Sequence, residues 1–191
     1  MLSAIPPDTL LDQYYAFRPT GSTTAALVHL MHHVTKMLER NNYVRSLMID
    51  FSKAFDTVDH TILLPILVQF HPPPFVINWI CFFLTGRGHQ RKINGLLSNV
   101  EPISLSIVQR SGIGPIIYAI MKSDLHTLSD LNDIFKYADD STVLVPELAN
   151  VGLADEFARV KVWTSINRLI LNFDKTKEIV VRLRTSMCLY D

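Results

Sequence analysis

Two adjacent aspartates, Asp139 and Asp140, constrain the fold more than any other feature of the sequence. The apolar residues Ile134 and Phe135 precede them, and the apolar run at 143–145 follows. Two strand-forming runs joined by a short polar segment predict a β-hairpin with the aspartates at its tip. The fold therefore contains antiparallel sheet. Because Asp is also an ordinary turn residue, this pair alone does not establish a catalytic site.

A second acidic element makes a metal site the stronger hypothesis. The apolar run at 47–49 predicts a short buried strand that places Asp50 at its end. Carboxylates from two elements can then converge on a hard divalent cation such as Mg²⁺, for which Mn²⁺ can substitute. In the two-metal mechanism of polymerases, such ions activate a 3′-hydroxyl and stabilise the departing pyrophosphate. The predicted ligands are Asp50, Asp139 and Asp140.

Four blocks of sequence follow one another in a recognisable order. They are residues 13–19 (Gln-Tyr-Tyr-Ala-Phe-Arg-Pro), 50–60 (Asp-Phe-Ser-Lys-Ala-Phe-Asp-Thr-Val-Asp-His), 137–140 (Tyr-Ala-Asp-Asp) and 171–178 (Leu-Asn-Phe-Asp-Lys-Thr-Lys-Glu). In residue identity and order they resemble the entry segment and the first, third and fourth palm motifs of reverse transcriptases from non-LTR, LINE-type retrotransposons. The block at 50–60 is the most specific of the four.

This resemblance implies an α+β fold, the palm of a right-hand polymerase, in which helices back an antiparallel sheet. It implies partial fingers and no thumb. Residues 1–191 are expected to form a single partial reverse transcriptase domain. Within it we expect a fingers and palm-entry segment over about 13–43, the palm over 44–183 and a tail over 184–191.

The resemblance also assigns catalytic roles. Asp50, Asp139 and Asp140 match the metal-binding carboxylates, and Asp139 is expected to contribute more than Asp140. Lys175 matches the lysine of the fourth motif that is thought to protonate the leaving pyrophosphate. A solvated surface cation is the alternative for Lys175, because general-acid action depends on reach and pKa.

Four further residues are implied to bind substrate: Arg18, Phe51, Phe55 and Gln109. Phe55 matches the aromatic gate that crowds the 2′ position of an incoming nucleotide and disfavours ribonucleotides. The alternative is a core role, since Phe51 and Phe55 are spaced so that they could pack together on a helix.

The second palm motif departs from the family pattern. Val108 stands where the family has proline, and Arg110 stands where it has glycine. A glycine at such a position lets backbone approach a ligand, so Arg110 adds bulk beside the template and nucleotide. We therefore expect the ancestral activity, RNA-directed DNA polymerisation, to be weak or lost. The alternatives are a non-catalytic remnant that binds nucleic acid or another partner, and another palm enzyme such as a nucleotide cyclase.

The charge balance is unusual for a protein whose implied partners are an RNA template, a DNA primer and deoxynucleoside triphosphates. The 18 Lys and Arg residues equal the 18 Asp and Glu residues, whereas cationic contacts supply much of the affinity for a polyanion. The resemblance attributes this shortage to basic fingers and a thumb outside the chain. Two cysteines and no targeting or membrane-spanning segment predict an intracellular protein that does not enter a membrane. The oligomeric state is left open.

Local patterns predict the remaining elements. Three histidines, His29, His32 and His33, share one predicted helix, and a solvated polar face is favoured over zinc binding there. The predicted elements are a helix capped by Ser22 and ending near 41–42, a strand at 44–50, a helix at about 60–70 that contains Pro65, a helix ending at Gly86, a tight turn at Asn94-Gly95, a helix starting at Pro115, a helix at 153–169 and a strand at 178–183.

Overall fold

The computed structural model describes residues 22–103, 105–108 and 111–183. The predicted substrate residues Arg18 and Gln109, the altered position Arg110 and the tail at 184–191 lie outside these described residues. The chain forms two compact units. Among the described residues, we call 52–124 with 164–170 the helical unit, and 22–51 with 125–163 and 171–183 the sheet unit.

The described residues combine helices with antiparallel strands, which confirms the predicted α+β class. In chain order the elements are α1 (Thr23–Leu38), β1 (Tyr43–Ile49), α2 (His60–Gln69), α3 (Pro74–Leu84), β2 (Gly88–His89), β3 (Lys92–Ile93), β4 (Leu96–Leu97), β5 (Glu101–Pro102), α4 (Gly114–Met121), β6 (Asp133–Tyr137), β7 (Asp140–Pro146), α5 (Leu153–Ile166) and β8 (Lys177–Arg182). None of these helices is long and apolar enough to cross a membrane.

The sheet unit is built on a four-stranded antiparallel sheet in the order β6-β7-β1-β8. Its register places Ile49 opposite Ser141 and Tyr137 opposite Asp140. Alternate residues of a strand point to the same side of a sheet, and the apolar residues on one side of this sheet pack against α1. Together they form a buried core cluster, which consists of Val34, Leu38, Val44, Phe135 and Leu144.

The histidines of α1 take part in this packing. The rings of His29 and His33 lie 5.8 and 5.1 Å from the ring of Phe135, and Nδ1 of His33 lies 2.7 Å from an oxygen of Asp133. The prediction of a solvated polar face is therefore wrong for these two residues, which help to attach α1 to β6. His32 is exposed, as predicted.

Local signals place the elements of the helical unit close to where they were predicted. Helix α2 continues through Pro65, although proline cannot donate the backbone hydrogen bond of a helix interior. Between β3 and β4, Asn94 and Gly95 both adopt positive φ, 51° and 84°, as a two-residue hairpin turn requires. Pro115 lies in the first turn of α4.

Helix α5 ends three residues earlier than predicted, at Ile166. Arg168 adopts a left-handed φ of 54°, and the N–H of Leu169 donates to the carbonyl oxygen of Thr164 at 2.9 Å. The N–H of Arg168 donates to the carbonyl of Ser165. These contacts form a Schellman cap, in which glycine is the usual left-handed residue. Arginine in that position gave no sequence signal for a helix end.

A buried carboxylate organises the start of α2. Asp59 is 4% exposed, and its side chain accepts hydrogen bonds from the backbone and hydroxyl of Thr61 at 2.8 and 2.6 Å. Nη1 of Arg168 lies 2.6 Å from its other oxygen. The hydrogen bonds from Thr61 and the nearby Arg168 guanidinium hold the pKa of Asp59 below its ordinary value. Asp59 is therefore the N-cap of α2.

We expect Asp59→Asn to lower the stability of the helical unit by about 1–2 kcal/mol at pH 7, because Asn keeps a capping oxygen but not the charge. A carboxylate with a lowered pKa in the folded state stabilises above its unfolded pKa of about 4, and this contribution disappears as the pH falls further. Thermal unfolding of both chains from pH 7 to pH 2 measures the difference, which should shrink below about pH 4. An equal difference at all pH values would contradict this. The exposed carboxylate variant Asp174→Asn is the control.

Candidate active site

The predicted acidic hairpin is present between β6 and β7. Tyr137 pairs with Asp140, which leaves Ala138 and Asp139 as a two-residue loop. Ala138 has a positive φ of 51°, a conformation that costs a residue with a side chain about 1 kcal/mol or more. The hydroxyl of Tyr137 lies 3.0 Å from that of Thr23 at the start of α1. The loop that carries the aspartates is therefore anchored on its N-terminal side.

Asp50 lies beside this hairpin because β1 is the neighbour of β7 in the sheet. It follows the last residue of β1, and Asp140 is the first residue of β7. Both residues line an open pocket of about 350 Å³ in the sheet unit, together with Lys175. The side chain of Asp50 is 22% exposed. Two carboxylates from different strands thus share one solvent-accessible pocket.

The turn before β8 places the predicted lysine. The N–H of Asn172 donates to the carbonyl oxygen of Asp50 at 2.9 Å, and the N–H of Thr176 donates to the carbonyl of Asn172. The side chain of Asn172 also accepts a hydrogen bond from the N–H of Lys175. As a result, Nζ of Lys175 lies 4.0 Å from an oxygen of Asp50. The lysine side chain is 71% exposed, so this ion pair is weak and leaves the ammonium accessible.

The chemistry of the pocket fits a hard divalent cation, because it offers carboxylate oxygens from two strands. Asp139, which directly precedes Asp140 in the chain, is half-buried, whereas Asp140 is exposed. Among the described residues, no three His, Cys, Asp or Glu side chains are already arranged to hold a metal ion. Mg²⁺ can be held by one or two carboxylates and substrate phosphates. The three-carboxylate site therefore stays a prediction.

The two phenylalanines predicted to bind substrate have different surroundings. Phe51 is 3% exposed and its ring meets that of Trp163 edge-on, with centroids 6.2 Å apart, inside the sheet unit. Phe55 belongs to the helical unit, where its half-buried ring lies 4.7 Å from that of Tyr118 at an interplanar angle of 31°. Substrate binding by either residue stays a prediction.

Comparison with known proteins assigns the family. The family model for reverse transcriptase (RNA-dependent DNA polymerase) matches residues 1–186. This chain belongs to the reverse transcriptase family.

Curated relatives narrow the type of reverse transcriptase. The chain is 25% identical over 185 residues to the RNA-directed DNA polymerase from mobile element jockey of Drosophila melanogaster, covering 91% of this chain and 20% of that protein. It is 24% identical to the probable RNA-directed DNA polymerase from transposon BS of the same species, covering 92% and 20%. These matches confirm a partial reverse transcriptase domain of the non-LTR retrotransposon type. The chain spans about a fifth of the length of these relatives.

Solved structures support the fold. A telomerase from Candida tropicalis, determined with a fragment of telomeric RNA, superposes with a TM-score of 0.70 at 12% identity, covering 92% of this chain and 31% of that one. The apo telomerase truncated from its C-terminal domain gives a TM-score of 0.64 at 16% identity, covering 95% and 38%. At such low identity the likeness concerns the fold alone, and it confirms the predicted right-hand polymerase palm.

A buried carboxylate that no sequence pattern predicts supports the acidic hairpin. Glu156 of α5 is 1% exposed. Its carboxylate accepts hydrogen bonds from the N–H groups of Leu128 and Ser129 and, at 2.7 Å, from the side-chain amide of Asn132. Asn132 directly precedes β6, the strand that leads to the acidic loop. An acidic residue in the first turn of a helix is normally a surface feature, so its position in the sequence does not predict this role.

We expect Glu156→Ala to destabilise the sheet unit by about 2–4 kcal/mol, because it leaves several buried N–H donors without an acceptor. Glu156→Gln retains one acceptor oxygen and should cost less. Thermal and denaturant unfolding of the two variants measures which of them loses more stability. Asp155→Ala, which removes an exposed neighbour on the same helical turn, serves as the control, and equal effects of Asp155→Ala and Glu156→Ala would refute the proposed support.

Proposed function

We propose that this reverse transcriptase domain carries the catalytic carboxylates for template-directed addition of deoxynucleotides to a primer 3′-end. The observation that supports this most is the shared pocket of Asp50 and Asp140, which come from neighbouring strands of the palm sheet. The reaction needs carboxylates from separate elements on one side of the reacting phosphate. The match to RNA-directed DNA polymerases supports the same chemistry.

In this proposal Asp50, Asp139 and Asp140 hold Mg²⁺, or Mn²⁺ in its place. When bound, the ions supply charge stabilisation to the reacting phosphate and lower the pKa of the attacking hydroxyl. Lys175 has a separate task. Its exposed ammonium, 4.0 Å from Asp50, can reach into the pocket and donate a proton to the departing pyrophosphate.

The proposed substrates are an RNA template, a DNA primer and deoxynucleoside triphosphates. Phe55 is the proposed gate against a 2′-hydroxyl, and its contact with Tyr118 restricts the positions that its ring can take. Phe51, Gln109 and Arg18 are proposed as further substrate contacts. The telomerase neighbour solved with telomeric RNA adds support for a nucleic-acid partner.

Metal binding tests the carboxylate site without requiring turnover. We expect the chain to bind Mn²⁺ weakly and the double variant Asp50→Asn with Asp139→Asn to lose this binding, because two of the three proposed ligands become neutral. Water-proton relaxation during Mn²⁺ titration measures it. The matched control Asp174→Asn removes one exposed carboxylate from the neighbouring turn. Binding that is unchanged in the double variant would eliminate the site.

Primer extension tests the reaction itself. With an RNA template, Mg²⁺ or Mn²⁺ and all four deoxynucleotides, we expect weak extension that falls by about 100-fold or more in Asp139→Asn, since charge stabilisation by a bound ion contributes several kcal/mol. Asp174→Asn should extend as well as the unmodified chain. Extension that survives Asp139→Asn would contradict the assignment. A folded chain with Asp139-dependent Mn²⁺ binding but no extension would favour the non-catalytic alternative.

A further inference from the structure

Helix α3 of the helical unit exposes a stripe of aromatic side chains. Apart from Asn78 the helix is apolar, and a helix that is hydrophobic all round is usually buried on all sides. Its buried side consists of Val76, Ile80 and Leu84. The opposite side leaves Phe75 71%, Trp79 45% and Phe82 83% exposed. Phe75, Trp79 and Phe82 follow one another at intervals of about one helical turn, which places them on one face of the helix.

The rings at the C-terminal end of α3 are ordered into a column. The ring of Phe83 stacks on that of Trp79, with centroids 5.4 Å apart and an interplanar angle of 14°. Just beyond the end of the helix, the guanidinium carbon of Arg87 lies 4.1 Å from the centroid of Phe83. Nε of Arg87 also donates to the carbonyl oxygen of Phe83. Since the stacked Phe83 ring restricts the Trp79 ring, ordering Trp79 for a ligand costs little conformational entropy.

The segment that follows this helix in the chain is mainly positive. Helix α3 contains no charged residue, and the segment that follows it, residues 87–102, contains Arg87, Arg91 and Lys92 against a single acidic residue, Glu101. Arg91 and Lys92 are exposed on the small hairpin made by β3 and β4. The exposed rings alone would suffice to bind an apolar protein partner, and the cations would then have no role. Rings with adjacent cations suit a ligand that has both flat bases and phosphates.

We propose that the aromatic face of α3 and the basic hairpin at 87–97 bind single-stranded nucleic acid. Unpaired bases stack on Trp79 and Phe82, while Arg87, Arg91 and Lys92 contact phosphates. Each ring accepts any base, so binding has little sequence preference. This surface lies in the helical unit, whereas the carboxylate pocket lies in the sheet unit. The inference goes beyond the proposed function because it requires neither the carboxylates nor a divalent cation.

Binding of a labelled 20-nucleotide oligo-dT to the whole chain tests the stacking contacts. The assay measures fluorescence anisotropy in 50 mM salt with EDTA, so metal binding plays no part. We expect Trp79→Leu to weaken binding by about fivefold or more, since stacking on an aromatic ring provides much of the affinity per base. Trp79→Phe keeps a flat ring and should stay within about twofold. Phe82→Leu, which keeps apolar bulk without a ring, should weaken binding as Trp79→Leu does.

Salt dependence tests the phosphate contacts. Three cations on a single strand predict a slope of about −2 in a plot of log association constant against log salt concentration. Arg91→Gln should make this slope shallower by about 0.7, because one phosphate contact is lost. Leu148→Ala, which removes an exposed apolar side chain in the sheet unit, is the control and should change neither affinity nor slope.

Tryptophan emission gives an independent readout. Trp163 is 2% exposed, so quenching by oligo-dT should come from Trp79 and disappear in Trp79→Phe. Circular dichroism and thermal unfolding confirm that each variant is folded. The proposal fails if oligo-dT does not bind at 50 mM salt, or if Trp79→Leu and Phe82→Leu bind like the unmodified chain. It also fails if Trp79→Phe weakens binding as much as Trp79→Leu, because stacking would then not be the source of affinity.

Discussion

The antiparallel pairing of β1 with β7 is the constraint on which both the core and the candidate site depend. Its register places Ile49 opposite Ser141, and Asp50 follows immediately beyond this pair. A slip of one residue would turn every side chain of β1 to the opposite face. Val44 of β1, which is 0% exposed, would then leave the core, so burial enforces the register. The same burial fixes which residues of the two strands reach the pocket.

Elements whose determinants are local in sequence could be predicted closely. Ser22 caps α1 because its side-chain oxygen accepts from the N–H of Ala25 only three residues away. The turn at Asn94-Gly95 follows from the tolerance of these two residues for positive φ. The acidic hairpin was predictable for a related reason, since strand-forming apolar runs on both sides of Asp139 and Asp140 favour two paired strands. The candidate metal ligands were predictable because each lies where an apolar, strand-forming run begins or ends.

Other features depend on partners that are far apart in the chain, and sequence patterns carry no signal for them. Arg168 ends α5 in a conformation typical of glycine, while its guanidinium meets Asp59, a residue 109 positions earlier. His33 looked like part of a polar face but pairs with Asp133, 100 positions away. Glu156 has the position of a surface residue and instead closes the loop before β6. In each case tertiary contacts decide the role of a polar residue.

The neutral composition of the chain is compatible with binding a polyanion, because electrostatic contacts depend on local charge. At physiological ionic strength, interactions between exposed charges fade over about 8 Å, so acidic residues elsewhere do little to cancel a basic cluster. The segment after α3 places Arg87, Arg91 and Lys92 within a few residues of an uncharged aromatic helix. Rings contribute affinity that does not appear in a count of charges. A balance of 18 basic and 18 acidic residues therefore describes the whole chain but not the surface that a nucleic acid would meet.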